Sequence, residues 1–139
     1  MKTTVYNNLL AFQTVTAANR TNGTVNGTSV NLWAHTVGRQ KFGGAMALVQ
    51  TGTITDGTHT VEIQHSDDNS SFTAVPDAEL QGTEPAIAAA NDNVIYEVGY
   101  TGTKQYLRVA VVTSGATTGG TFGAVLLLGL PRRFPVAHS

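Results

Sequence analysis

Two stretches of the chain alternate apolar and polar residues with a period of two, and this period limits the possible fold more than any other feature. In residues 58–75, Val61 and Ile63 alternate with polar neighbours, a Ser-Asp turn follows, and Phe72 resumes the apolar signal. In residues 104–113, a Tyr is followed by Leu and Val at alternate positions. Successive side chains of a strand point to opposite faces. The two stretches therefore predict the centre of one antiparallel β-sandwich.

The remaining strands are separated by turn signals at regular spacing. Further strands are predicted over residues 30–34, 45–51, 94–98 and 122–128. Asn-Gly pairs before residue 30 indicate tight turns, and the Gly-rich run at 115–120 predicts a last hairpin loop. Gly82 and Pro85 limit the helix-like stretch at 77–93 to a turn or two, which makes it a long crossover. Short strands with long crossovers predict an all-β fold, an antiparallel β-sandwich of jelly-roll type.

The chain is long enough to form one domain with its own core. At 139 residues it can bury most of its apolar surface without disulfides or metals. We expect a single jelly-roll domain over residues 1–139, with a partly extended N-terminal arm over about residues 1–15. A C-terminal tail follows over about residues 131–139, where Pro131 and Pro135 favour extended backbone. The strongest strands place six side chains in the core: Ile63, Phe72, Leu107, Val109, Val111 and Leu126.

Only 12% of the residues are charged, about half the usual share, and their order along the chain is uneven. All nine acids lie between Asp56 and Glu97 without a Lys or Arg among them, whereas the segments before and after carry only basic residues. Such an order can orient a subunit against a charged neighbour. Folding can instead mix these charges in space, and the sequence leaves both alternatives open.

The residue types and spacings needed for catalysis or metal binding are missing from the sequence. The chain has no Cys, which excludes disulfides, thiolate chemistry and Cys-based zinc sites. Its four His residues are dispersed, and the turn of Asp67, Asp68 and Asn69 lacks the ligand spacing of a calcium loop. No phosphate-binding Gly loop or nucleophile motif occurs. We therefore expect a protein that is not an enzyme and that uses no metal or cofactor.

Nucleic acid and membranes are not expected partners either. Arg132 and Arg133 beside Phe134 form only a weak basic patch on a chain of net charge -1. The longest apolar run, residues 124–130, is too short to span a bilayer. The first residues lack the apolar run of a secretory signal. We expect a soluble protein that is not secreted by a cleaved signal.

Three segments of the sequence resemble small head proteins of tailed bacteriophages. They are VEIQHSDDNSSFTAV at 61–75, YTGTKQYLRVAVV at 100–112 and AVLLLGLPRRFP at 124–135. In such proteins a strand ends in a Ser-Asp turn, an aromatic residue follows, and a strand with Tyr-x-Arg comes later. The chain is thereby similar to the capsid cement (decoration) proteins of tailed bacteriophages. The resemblance implies a jelly roll that binds the outside of an assembled phage head, and it carries over no catalytic residue.

The predicted function is therefore that of a viral capsid cement protein, which stabilises the phage head by bridging capsid subunits on the outer surface of the virion. Such a protein is made in the host bacterial cytoplasm. The expected partners are the major capsid protein and the chain itself, as a homodimer or other homo-oligomer. Basic and terminal segments are the predicted contact: Arg20, Arg39, Lys41, Arg132, Arg133 and Phe134. The alternative is a carbohydrate-binding jelly-roll module of a phage fibre or lectin. That module would use an aromatic such as Trp33, although a second buried face explains Trp33 equally well.

Overall fold

Strands account for most of the fold, and a computed structural model of the chain describes residues 4–33 and 41–132. In chain order the elements are α1 (Val5–Asn8), β1 (Leu10–Arg20), β2 (Gly23–Asn26), β3 (Val30–Asn31), β4 (Phe42–Ile54), β5 (Thr58–Ser66), β6 (Thr73–Ala74), β7 (Leu80–Gln81), β8 (Ala86–Ile87), β9 (Ile95–Tyr100), β10 (Tyr106–Ser114) and β11 (Gly120–Pro131). Two 3-10 turns, Asp77–Glu79 and Ala89–Asn91, lie in the predicted crossover between β6 and β9.

Within the described residues these strands form two antiparallel sheets. Sheet A has the strand order β1-β11-β4-β9-β7, and sheet B has β2 and β3 beside β10, then β5, then β6 and β8. The pairs β1–β11, β2–β10, β4–β9 and β5–β6 nest inside one another along the chain, as in one long hairpin. Rolling that hairpin brings β11 beside β4 and β10 beside β5, which gives the two Greek keys of a jelly roll. The predicted all-β sandwich of jelly-roll type is confirmed.

The pairing of β5 with β10 forms the centre of sheet B, as the two alternating stretches predicted. Nine residue pairs join these strands, from Tyr106 opposite Ser66 to Ser114 opposite Thr58. The inward side chains, such as that of Leu107, are completely buried, and most of the outward side chains remain accessible. The register is fixed because a slip of one residue would turn the buried row toward water.

The core lies between the sheets and includes inward side chains from β4, β5, β9, β10 and β11. Five of the six predicted core residues are buried in it: Ile63, Leu107, Val109, Val111 and Leu126. The prediction is wrong for Phe72, which is only half-buried. The Arg108 guanidinium carbon lies 3.9 Å from the centroid of the Phe72 ring. Phe72 precedes the short strand β6 and covers an outward-facing arginine instead of entering the core.

Most consecutive strands of the chain lie in different sheets, and two local predictions from the sequence differ from the structure. Residues 10–15, expected in an extended arm, form the first half of β1 and pair with β11. Register shifts between Gln13 and Ala18 explain the irregular apolar spacing of that stretch. The Gly-rich loop at 115–120 joins β10 in sheet B to β11 in sheet A, so it is not a hairpin loop. Residues 133–139 of the expected tail lie outside the described residues.

One carboxylate ties the turn before β5 to the loop after β10. Asp56 accepts backbone N–H hydrogen bonds from Gly119 at 2.6 Å and from Thr118 and Thr117 at 3.1 Å. These bonds favour the charged carboxylate and lower the pKa of Asp56, with the bond from Gly119 contributing most. The next residue, Gly57, has φ +84°, a left-handed conformation that glycine adopts without strain.

Leu107→Ala should destabilise the fold, because this side chain is completely buried and its truncation leaves a cavity. Such a change lowers the free energy of unfolding by about 2–5 kcal/mol, which urea denaturation measures. Val112→Ala is the matched control, since Val112 lies on the same strand and is 49% exposed. The control should cost under about 0.5 kcal/mol. A loss below roughly 1 kcal/mol at Leu107 would contradict its place in the core.

Candidate interaction surface

The outward face of sheet B has the polar surface expected of a sheet that faces water. On β5, Thr60, Glu62 and Gln64 alternate with the buried row. The Arg108 Nε donates to Gln64 Oε1 at 2.8 Å, and Gln64 Nε2 donates to Glu62 Oε1 at 2.6 Å. An antiparallel sheet with one buried and one solvated face normally shows this alternation. Sheet B therefore follows the ordinary pattern of a surface sheet.

The outward face of sheet A carries an apolar patch instead, with the exposed Gln13, Gln50 and Glu97 beside it. Five residues of three neighbouring strands define what we call the apolar face: Met46 and Leu48 on β4, Ile95 on β9, and Val125 and Leu127 on β11. Leu127 lies opposite Met46, and Val125 lies opposite Leu48. Ile95 is 60% exposed, and the other four side chains are half-buried. A contiguous apolar patch on the surface of a soluble protein marks an interaction site.

Two hollows open on this side of sheet A, and Leu127 lines both of them. The first hollow has a volume of about 600 Å³ and includes Gly52 and Gly123. The second has a volume of about 520 Å³ and includes Gly44 and Gly129, which lie opposite each other on β4 and β11. Glycine leaves room here because no side chain rises from the sheet. None of the residues that line either hollow carries a charge.

Leu130 stands at the rim of the second hollow in a strained backbone conformation. Its φ is +51°, a left-handed value that bulky residues rarely adopt and that costs roughly 1–3 kcal/mol. Its side chain is 76% exposed. The Leu130 side chain lies against Gly43 and Gly44, where an added Cβ would stand 3.3 and 3.4 Å from its nearest atoms. Neither burial nor backbone preference explains a leucine at this position.

The structure describes three of the six predicted contact residues and brings two of them together. Arg132 donates its backbone N–H to the Lys41 carbonyl oxygen at 3.0 Å, next to the second hollow. Arg20 lies at the other end of β11, about 36 Å away along a strand of this length. Its Nη2 donates to the Thr16 carbonyl oxygen at 2.7 Å. Three predicted residues lie outside the described part of the chain: Arg39, Arg133 and Phe134.

Trp33 does not lie on a second buried face. Of the strand expected over residues 30–34, the described residues 30–33 form only Val30–Asn31, and Trp33 follows it with 41% of its surface exposed. The ammonium nitrogen of Lys41 lies 4.9 Å from the centroid of the Trp33 ring. A cation at that distance is attracted to the face of the ring. Lys41 therefore covers part of the surface that a sugar ring would need.

Folding brings one residue of a basic segment into contact with one residue of the acidic segment. Lys104 forms an ion pair with Asp67 at 2.7 Å between Nζ and Oδ2. The two side chains are 35% and 69% exposed, so the pair contributes about 0–1 kcal/mol to stability. The order of charges along the chain therefore does not by itself define a charged surface.

The acidic turn after β5 is organised by one of its own carboxylates. Asp68 accepts hydrogen bonds at 2.9 Å from the backbone N–H groups of Ser71 and Ser70 and from the Ser66 hydroxyl. These bonds lower the pKa of Asp68 to about 2, with the Ser71 bond contributing most. In the described part of the chain, no three His, Asp or Glu side chains are grouped to hold a metal ion.

His65 is buried where the two sheets meet. Its Nδ1 lies 3.0 Å from the hydroxyl oxygen of Tyr100, and that oxygen accepts the backbone N–H of Lys104 at 3.2 Å. Burial disfavours the charged imidazolium and lowers the pKa of His65 below its ordinary value of 6.5. The hydrogen bond between the neutral ring and the Tyr100 hydroxyl joins sheet B to sheet A.

Comparisons with known proteins do not extend this description. No family model, no curated protein and no solved structure matches the chain. None of the helices in the residues described above is long and apolar enough to cross a membrane. The fold and its surfaces define the class of protein: a jelly-roll β-sandwich with a polar outer face on sheet B and an apolar patch on the outer face of sheet A.

The apolar face was not among the predicted contact residues, although the sequence contains a signal for it. In residues 124–130 both alternating rows are apolar, a pattern typical of a strand that is covered on both sides. The inward row, with Leu126 and Leu128, is fully buried in the core. The outward row, with Val125 and Leu127, is only half-buried. The pattern therefore indicated that a second surface, in addition to the core, covers the outward row of this strand.

The stability of the protein should fall as the pH is lowered below 6.5, because His65 resists protonation in the folded state. Above pH 6.5 the ring is neutral in both states, and its full contribution is present. Between 6.5 and the lower folded-state pKa, the unfolded chain gains the proton first and the free energy of unfolding declines. Urea denaturation at pH 7.5 and 5.5 measures the difference, and His65→Gln should reduce it. An equal pH dependence in His65→Gln would contradict this assignment.

Proposed function

We propose that this chain is a viral capsid cement, or decoration, protein that binds the outer surface of an assembled phage head. Its main partner is then the major capsid protein, and the bound copies stabilise the shell by bridging neighbouring capsid subunits. The structural observation that carries the proposal is the accessible apolar face of sheet A, which contrasts with the polar outward face of sheet B on the opposite side of the sandwich. The resemblance over residues 61–135 supports the particular partner.

The size of the apolar face suits an interface of modest affinity. Three strands spaced about 4.8 Å apart and about eight residues long cover roughly 400 Å². Two partners would together bury roughly 800 Å², somewhat below the roughly 1,000 Å² expected of a stable, specific protein interface. Burying apolar area contributes about 25 cal/mol per Å² before the costs of association are subtracted. One copy on one subunit is therefore expected to bind weakly.

Bridging turns a weak contact into effective stabilisation of a shell. A protein that binds only the assembled shell stabilises it by RT ln(1 + [L]/Kd) at each site. A contact with two capsid subunits, or a homodimer or other homo-oligomer of the chain, makes the second attachment at high effective concentration. The proposal therefore includes self-association of the bound copies.

The carbohydrate-binding alternative has less support from the surface. A sugar site needs convergent polar groups beside an exposed aromatic ring. Trp33 is partly exposed, but the Lys41 ammonium lies over its ring, and the two hollows lack charged side chains. A glycan array tests the alternative directly. Selective binding that depends on Trp33 would replace the proposal.

Leu127→Glu should weaken binding to assembled phage shells by at least about ten-fold, or about 1.4 kcal/mol. Leu127 lines both hollows, and the change would bury a carboxylate without a partner. Thr60→Glu is the matched control, because it places the same charge on the outward face of sheet B. Titration of shells measures occupancy, and thermal melting verifies that both variants fold. Equal occupancy for the two variants would exclude sheet A as the contact.

Deletion of residues 132–139 should weaken decoration of shells and leave the sandwich folded. The deleted segment contains Arg132, Arg133 and Phe134, and rim cations mainly govern the association rate and its salt dependence. Occupancy on shells is the readout, with melting of the free protein as the control. Unchanged occupancy would remove the tail from the proposed contact. Unchanged occupancy after Arg39 and Lys41 are also neutralised would remove the charge argument as a whole.

A further inference from the structure

The second hollow combines apolar walls with a backbone strain that the fold does not require. Glycine would adopt the φ of +51° at position 130 without strain, and leucine gains little from burial there because it is 76% exposed. Strained positions of this kind cluster at binding sites, where a side chain serves a partner. Leu130 forms one wall of the hollow, and Leu9 and Met46 line it as well.

Two cations stand next to the same hollow. The backbone N–H of Arg132 is hydrogen-bonded to the carbonyl oxygen of Lys41. Lys41 directly precedes β4, which carries Gly43, and Arg132 directly follows β11, which carries Leu130. Neither cation forms an ion pair with another described residue, whereas Lys104 is paired with Asp67. The Trp33 ring holds the Lys41 ammonium within 4.9 Å of its centroid, which restricts its position. An apolar hollow beside unpaired cations is complementary to an apolar side chain that is flanked by carboxylates.

We propose that the second hollow anchors an apolar side chain of the capsid protein, with neighbouring Asp or Glu residues of that protein paired to Lys41 and Arg132. The inference rests on the proposed function and deepens it by naming the chemistry of the partner segment. The remainder of the apolar face then lies over the adjoining capsid surface, where it contributes buried area.

Site-specific cross-linking tests the position and chemistry of this contact. The chain has no Cys, so Thr101→Cys places a single thiol at an exposed residue that lines the second hollow. Val112→Cys places the same thiol on the outward face of sheet B. Both variants are labelled with benzophenone maleimide, bound to assembled shells and irradiated. The Thr101 variant should cross-link to a capsid peptide in which an apolar residue adjoins Asp or Glu, and the Val112 variant should not cross-link.

The outcomes of that experiment separate the two proposals. Cross-linking from position 112 alone, or equally from both positions, would overturn the inference and leave the proposed function standing. A cross-link from position 101 to a capsid peptide without Asp or Glu would overturn the stated chemistry. Failure of the unlabelled protein to bind shells would overturn both proposals.

Leu130→Gly tests whether the strain serves the partner. The melting temperature of the free protein should rise by a few degrees, because glycine relieves the left-handed strain. The affinity for shells should fall at least ten-fold, because one wall of the hollow is lost. Val112→Ala removes apolar surface from the opposite face and should change neither quantity appreciably. A lower melting temperature or an unchanged affinity for Leu130→Gly would each overturn the anchor.

Neutralising the two cations tests the carboxylate pairing. The double variant Lys41→Gln and Arg132→Gln should associate with shells several-fold more slowly, and its association rate should depend less on salt. Lys104→Gln is the matched control, since it removes a cation that already has a partner in Asp67. An equal effect of Lys104→Gln would show that only net charge matters, and this would overturn the specific pairing.

Discussion

The packing of the inward rows of β10 and β11 in one buried cluster is the contact on which the rest of the sandwich depends. Leu107, Val109 and Val111 on β10 and Phe122 and Leu126 on β11 are all almost completely buried in it. Each of these two strands is paired along both edges, with β2, β3 and β5 in sheet B and with β1 and β4 in sheet A. Their register therefore fixes the orientation of both sheets, since a shift of one residue would expose the buried rows.

That fixed register also decides what the surface of the molecule presents. The inward row of β11 fills the core, so its outward row, with Val125 and Leu127, must face away from the core together with Met46 and Leu48 of β4. Sheet A thus has an apolar patch on its outward face in addition to its apolar inward face, and a single sandwich supplies only one core to cover them. On β5 of sheet B, by contrast, polar side chains occupy the outward row. The proposed attachment to a larger assembly follows from this difference between the sheets.

The apolar face and the basic residues would contribute to binding in different ways. Buried apolar area governs how long a complex lasts, whereas charges at the rim govern how fast it forms. Lys41 and Arg132 meet beside the second hollow, but Arg20 lies at the far end of the sheet, so the basic segments do not form one surface within the described residues. Lys104 already forms an ion pair with Asp67 of the acidic segment, so it is less available to a partner than Lys41 and Arg132 are. The charge order of the sequence is therefore only partly carried into the fold.

The sequence by itself determined the fold class and most of the core, because the two-residue period of Val61, Ile63, Leu107 and Val109 is a local property of extended backbone. It did not determine that Phe72 covers Arg108, or that residues 115–120 connect two sheets, because both depend on which strands become neighbours. Only the tertiary structure decided which apolar row of residues 124–130 is buried and which is left accessible, since a continuous apolar run has no preferred face of its own. The juxtaposition of Lys41, Leu130 and Arg132 likewise required the β4–β11 pairing, which joins parts of the chain about ninety residues apart.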